Sequence, residues 1–297
     1  MKKNGLFIVV YIVLIVVLGL PTNIRDSKAD LIEVYGTGAG NFLPKENCSL
    51  IMTNASVIFN IGAEEYLSRF NIDFTGNYTI YNPSEYMNAT LVAPFSLDFK
   101  NLESSCVIKI DNTTVPYDFI EYNFTESPWE EYLSSQFFMQ NRKFLVINAS
   151  FPENDSITIE YSFDANIGIS SSVGRLKIYY DVGTSRAWNG TISERVEFKV
   201  YGKPPDSYSS YRKDYFEYNC TVSDITNGKS YAWEWENEII NVNSVYISYS
   251  YYNPWVRLIP IILFPLLFGG LIVWVALNST RKKRDERKAR RELRHSN

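Results

Sequence analysis

Arg69-Phe-Asn-Ile-Asp-Phe-Thr-Gly-Asn-Tyr-Thr-Ile80 carries its apolar side chains at alternate positions. Phe70, Ile72, Phe74, Tyr78 and Ile80 share one face, and Arg69, Asn71, Asp73, Thr75, Asn77 and Thr79 share the other. Successive side chains of a strand point to opposite faces, so this period of two predicts a half-buried β-strand. Gly76 has no side chain to pack and marks an expected bulge. Val57, Phe59 and Ile61 repeat the pattern with Asn54 and Ser56 outside, and Ile157, Ile159, Tyr161 and Phe163 repeat it with Ser156, Thr158, Glu160 and Ser162 outside. One-sided burial marks antiparallel sheets rather than βαβ units. The expected fold class is all-β, an antiparallel β-sandwich of one large or two small modules, with residues 165–173 as the candidate boundary.

Turn chemistry separates the strands. Asp111-Asn112-Thr113-Thr114 divides Val107–Ile110 from Val115–Tyr122 as a hairpin tip, and Trp188-Asn189-Gly190 places an Asn-Gly turn between Leu176–Val182 and Ile192–Val200. After the stiff Lys203-Pro204-Pro205-Asp206, the stretches Asp214–Val222, Tyr231–Trp235 and Val245–Tyr251 read as further strands. One short inserted helix is expected: Ser127 caps it, Pro128 takes the first helical position, and Glu130 completes a capping box. Trp129, Tyr132, Leu133, Gln136 and Phe137 would then share a face.

The two chain ends set the expected topology. Lys2-Lys3, the apolar run Leu6–Leu20 and Ser27-Lys28-Ala29 read as a secretory signal over residues 1–29, cleaved near Ala29; an uncleaved signal anchor is the alternative. Leu258–Leu277 is uncharged for twenty residues, and at about 1.5 Å per residue that spans a hydrocarbon core of about 30 Å. Pro260, Pro265 and Gly269-Gly270 imply a kink within it. The tail, residues 278–297, holds nine Lys/Arg against three Asp/Glu in Arg281–Arg294. The positive-inside rule makes this tail cytoplasmic and residues 30–254 extracellular, a type I single-pass protein of the plasma membrane. Asp30–Thr280 carries 16 Lys/Arg and 29 Asp/Glu, an acidic surface that argues against nucleic acid as a partner. The basic tail is suited to anionic headgroups or to a cytosolic partner.

Ten Asn-X-Ser/Thr sequons precede the apolar run, at Asn47, Asn54, Asn77, Asn88, Asn112, Asn123, Asn148, Asn154, Asn189 and Asn219. Composition alone accounts for about four. The excess predicts a glycosylated outer domain, whereas the sequon at Asn278 falls on the cytoplasmic side. Cys48, Cys106 and Cys220 are the candidate disulfide partners and permit at most one bridge within the chain. Cys106 and Cys220 alternate with apolar neighbours and should point inward.

Chemistry is constrained mostly by what is missing. The single histidine, His295, lies in the tail, which removes imidazole-based catalysis and His-containing zinc sites from the outer domain. No glycine-rich phosphate loop, calcium loop or Cys-X-X-Cys is present, so no cofactor is expected. Carboxylate pairs for glycoside chemistry could come from Glu64-Glu65, Glu130-Glu131 or the row Glu234, Glu236, Glu238; the last alternates with Trp233 and Trp235 and so faces solvent. Tyr208, Tyr211, Tyr215 and Tyr218, then Tyr246, Tyr249, Tyr251, Tyr252 and Trp255, form two aromatic concentrations. Such side chains suit protein or glycan recognition, strand packing, or the headgroup level of a membrane.

Tyr180-Asp-Val-Gly-Thr-Ser-Arg-Ala-Trp188-Asn-Gly-Thr-Ile192, followed by Trp233-Glu-Trp-Glu-Asn237, resembles a prokaryotic family, also archaeal, of secreted or membrane-anchored β-rich domains of unknown function. The resemblance implies a β fold and no activity. The function expected from the whole sequence is noncatalytic cell-surface recognition or envelope structure. The alternatives are an accessory subunit of a membrane complex and a membrane-tethered carbohydrate-active enzyme using paired carboxylates.

Overall fold

The computed structural model describes residues 33–45, 48–64, 69–96, 101–122, 142–168, 173–212, 215–217, 219–252 and 254–295. Its strands in chain order are β1 Glu33–Gly40, β2 Leu43–Pro44, β3 Ile51–Ala63, β4 Arg69–Asn82, β5 Met87–Ser96, β6 Val107–Ile110, β7 Thr113–Thr114, β8 Asp118–Tyr122 and β9 Arg142–Phe151. They continue with β10 Asp155–Gly168, β11 Val173–Asp181, β12 Ile192–Gly202, β13 Ser207–Arg212, β14 Tyr215–Glu217, β15 Thr221–Ile225, β16 Gly228–Glu238 and β17 Ser244–Tyr252. A nine-stranded sheet runs β14-β13-β17-β11-β1-β5-β9-β8 with β2 added beside β5, and an eight-stranded sheet runs β15-β16-β12-β3-β4-β10-β6-β7. The all-β expectation holds.

The two sheets face each other across one shared core. Phe59 and Tyr180 meet at 6.0 Å between centroids, Phe70 and Tyr249 at 4.9 Å, and Phe95 and Tyr161 at 5.7 Å, each pair joining one sheet to the other. Strand β4 shows why the sequence folds this way: Phe70, Ile72, Phe74, Tyr78 and Ile80 are buried, while Arg69, Asn71, Asp73 and Asn77 are exposed. Each such side chain contributes about 1.5–3 kcal/mol by leaving water, which makes a one-residue slip of register prohibitive.

Several expectations are corrected. The antiparallel sandwich holds for most pairings, but the eight-stranded sheet is mixed, because β3 and β12 pair in parallel from Asn54↔Ser193 to Ala63↔Gly202. Alternation reports which face is buried and says nothing about a partner's direction. Gly76 is no bulge: β4 keeps continuous register through it, opposite Val57 and Tyr161. It lies on the inner face, where an added Cβ would come within 2.5 Å of the Tyr78 hydroxyl. Trp188-Asn189-Gly190 closes no hairpin, since β11 and β12 belong to different sheets and a 3-10 helix, Val182–Ala187, carries the chain between them. Asp214–Val222 is likewise split, with β14 in one sheet and β15 in the other.

The helix expected at Ser127 lies outside the described residues, as does the signal segment. A short helix, α1, occupies Leu102–Ser105 and packs against β10. At the C-terminus, α2 runs from Pro254 to His295. Among the described residues, no helix is long and apolar enough to cross a membrane. Several side chains within Leu258–Leu277 lie outside that description; of those inside it, Phe264, Leu271, Ile272, Trp274, Val275 and Leu277 are all exposed.

Candidate functional site

The sequons map onto the outward surface. Asn54, Asn77, Asn88, Asn112, Asn148, Asn154, Asn189 and Asn219 are exposed, and Asn47 and Asn123 lie outside the described residues. By contrast Asn41 and Asn82, both fully buried, belong to no usable sequon: Pro83 interrupts Asn82-Pro83-Ser84. Four acceptors form two reciprocal cross-strand pairs. Asn54 lies opposite Thr79 and Asn77 opposite Ser56 on β3 and β4, while Asn88 lies opposite Ser150 and Asn148 opposite Thr90 on β5 and β9. In the second pair, Ser150 donates to Asn88 Oδ1 at 2.7 Å and Thr90 to Asn148 Oδ1 at 2.8 Å. Asn112 and Asn154 occupy turns with φ of 65° and 52°, a conformation that asparagine tolerates better than most residues.

The outer face of the eight-stranded sheet holds a shallow open groove of about 330 Å³ lined by Asn60, Asn71, Asp73, Asp164, Asn166 and Tyr201, with Gly62, Ile72 and Ala165 beneath. Strand register builds it. One row crosses the strands as Lys199, Asn60, Asp73, Asp164, and the next as Gly228, Tyr201, Gly62, Asn71, Asn166. Asn60 Nδ2 reaches Asp73 Oδ2 at 3.4 Å, and Arg69 holds Asn166 Oδ1 through Nε at 3.3 Å and a terminal nitrogen at 3.0 Å. Asp73 and Asp164 are directly opposed on neighbouring strands, a like-charge arrangement that ordinarily costs stability. Beside the groove, Glu197 is held below the usual carboxylate range. Burial pushes it upward, but hydrogen bonds from Ser230 and Arg195 and the charges of Lys199 and Arg195 outweigh that.

A second polar cluster, which the sequence reading missed, is inside the core. Glu194 is 2% exposed, and its Oε1 accepts from Asn41 Nδ2 at 2.9 Å while Oε2 has no hydrogen-bond partner among the described residues. Tyr180 donates its hydroxyl to Asn41 Oδ1, and the Tyr78 hydroxyl lies 2.8 Å from that of Tyr180. The Asn41 backbone N–H donates to Thr184 Oγ1 at 3.1 Å, and Trp188 Nε1 donates to the Phe42 carbonyl at 2.8 Å. Burial pushes the Glu194 carboxyl up to about 8, against the opposing Asn41 hydrogen bond. The signal was available: Glu194 is in phase with Ile192, Val196, Phe198 and Val200, all buried. Tyr180, Thr184 and Trp188 come from the first stretch that carried the family resemblance. The second stretch joins it where Asn237, at φ 48°, accepts from Thr191 and its amide donates to Ser193.

The remaining candidates disperse. Glu65, Glu130 and Glu131 lie outside the described residues, Glu64, Glu236 and Glu238 are exposed, and Glu234 pairs with Arg195. Cys48, Cys106 and Cys220 carry free thiols, Cys106 buried and the others half-buried. Val222 is exposed, so the inward alternation expected around Cys220 does not continue through β15. Tyr249 is buried, Tyr208 packs against Tyr231 at 5.1 Å, and Tyr246 lies under the Lys177 ammonium at 4.5 Å. The side chains of Tyr215, Tyr218, Tyr251, Tyr252 and Trp255 are outside the description.

No family model matches the sequence, and no curated protein matches it either. Among solved structures, the chain is similar to a protein of Legionella pneumophila subsp. pneumophila str. Philadelphia 1 provisionally assigned as nutrient binding, with TM-score 0.51, 11% identity, and coverage of 73% of this chain and 72% of that one. At that identity the likeness shows the fold alone. An M1 zinc metallopeptidase from Deinococcus radiodurans aligns at TM-score 0.31 and 9% identity over 69% of this chain and 43% of its own, too weak a likeness to carry an argument.

Proposed function

We propose that this chain is a single-pass surface glycoprotein whose β-sandwich outer domain recognises ligands or shapes the envelope without catalysis. The observation that carries the reading is the placement of the sequons: the eight whose position is described all present the acceptor asparagine to solvent, while two non-acceptor asparagines are buried. The uncharged Leu258–Leu277 and the basic residues after it support a single span with its tail inside. The noncatalytic part of the reading is supported by the fate of the acids. Of the glutamates that the sequence offers as catalytic pairs, the described ones, Glu64, Glu234, Glu236 and Glu238, are on the surface, and Glu234 is paired with Arg195.

Protease added to intact cells tests the topology. The outer domain should be removed and the tail spared; protection of the outer domain would overturn the reading. A second reading, an accessory subunit of a membrane complex, is favoured by one feature: α2 continues without a break from the uncharged run through the basic residues to His295, which gives a partner a helical basic surface. Crosslinking in native membranes that captures no co-spanning protein would count against it.

A further inference from the structure

The groove on β3, β4, β10 and β12 has a chemistry that selects among ligands. Its volume of about 330 Å³ stands at the small end of the ~300–1,000 Å³ range of small-molecule sites. Amides and carboxylates of Asn60, Asn71, Asp73, Asp164 and Asn166 stand around a floor of Gly62, Ile72 and Ala165, and burying two carboxylates against a lipid or acyl chain would be costly. Two carboxylates line it, no arginine does, and Arg69 on β4 is engaged by Asn166; that disfavours phosphate and other anions. Among the described residues no group of three or more acidic, cysteine or histidine side chains gathers to hold a metal ion.

What remains favourable is a neutral molecule dense in hydroxyls. Amide nitrogens of Asn60, Asn71 and Asn166 donate, carboxylates of Asp73 and Asp164 accept, and a sugar hydroxyl does both. Asp164's carboxylate has no hydrogen-bond or ionic partner among the described residues, so its acceptor capacity is open to a ligand. Tyr201, 37% exposed, has glycine on both sides in its cross-strand row, Gly62 and Gly228, so neither cross-strand neighbour places a side chain over its ring. A partly exposed ring beside polar walls suits the apolar face of a pyranose.

We propose that this groove binds a neutral mono- or disaccharide, with Tyr201 as the platform and Asp73, Asp164 and Asn71 as hydroxyl partners. The proposal rests on the outer domain being a recognition module. The sugar has two conceivable sources. Asn77 is four residues along β4 from Asp73 on the same face, about 13 Å at 3.3 Å per residue, so a glycan of this protein could supply the ring as well as an external saccharide.

The test uses the full chain in lipid nanodiscs, free of sugar-headed detergent, with methyl α-mannoside, N-acetylglucosamine, galactose and maltose titrated separately and followed by saturation-transfer NMR. Saturable binding of at least one probe is expected, weakened at least tenfold by Tyr201→Ala and by Asp73→Ala, each with an unchanged melting temperature. Should binding emerge only in the Asn54→Gln/Asn77→Gln double variant, the groove is normally filled by the protein's own glycan; should it be present in both forms, the source is external. No saturable binding in either form overturns the proposal, as does binding indifferent to both substitutions. Calcium chloride titrated alone is the control, and a calcium site abolished by Asp73→Asn with no sugar binding would also overturn it. If sugar binding fails while protease still strips the outer domain from intact cells, the groove assignment falls and the surface reading stands.

Discussion

Glu194 places an ionisable carboxyl inside an otherwise largely apolar core. An exposed glutamate ionises near 4.5, and the folded chain holds its proton to about 8. Between those values the folded state binds a proton that the unfolded chain has released, so stability is fully present below pH 4.5 and is lost as pH rises toward 8. The interval corresponds to on the order of 5 kcal/mol. Urea unfolding at pH 5 and pH 8 should therefore show a lower midpoint at pH 8, and Glu194→Gln should flatten the difference; equal midpoints in the parent chain would refute this account of the cluster. The thiols behave in the same direction. Burial pushes Cys106 and Cys220 up to about 12 and raises Cys48. Since the thiolate is the nucleophile, iodoacetamide at pH 8 should label the native protein far more slowly than the urea-unfolded one.

At the scale of elements, glycine placement sets what the strands tolerate. A Cβ on Gly228 would stand 2.1 Å from the Val200 carbonyl oxygen, backbone that cannot yield without breaking the β12–β16 ladder. Gly228→Ala should cost about 2 kcal/mol or more in chemical denaturation. Gly62→Ala, whose Cβ would meet Asn71 at 3.7 Å, should stay within about 0.5 kcal/mol. The strands themselves were legible because alternation is a local consequence of one-sided burial: in β4 every apolar side chain expected inside, Phe70, Ile72, Phe74, Tyr78 and Ile80, is buried. Gly76 could have been read correctly too. A bulge shifts the phase of alternation, and Phe74 and Tyr78 keep the same phase across it. The assignment of strands to sheets was not legible. It depends on contacts between segments more than a hundred residues apart, such as β3 with β12, and no local pattern encodes them. The groove was hidden for the same reason, since Asn60, Asp73 and Asp164 are unremarkable solvent-side residues until register aligns them.

For the whole molecule, the arrangement of charge and acceptors gives a sharper test than any single contact. Both sheets carry a reciprocal pair of sequons on strands, and turns and connections carry the other four described acceptors. If residues 30–254 face outward, glycan should attach across both sheets, while Asn278, exposed on α2 beyond the uncharged run, should stay bare. Glycopeptide mass spectrometry of the protein from its native membrane, with enzymatic deglycosylation in heavy-oxygen water to mark each occupied asparagine, measures this directly. The account predicts occupancy at acceptors among Asn54, Asn77, Asn88, Asn112, Asn148, Asn154, Asn189 and Asn219, and none at Asn82 or Asn278. Glycan at Asn278, or no modified asparagine between residues 30 and 254, would contradict it.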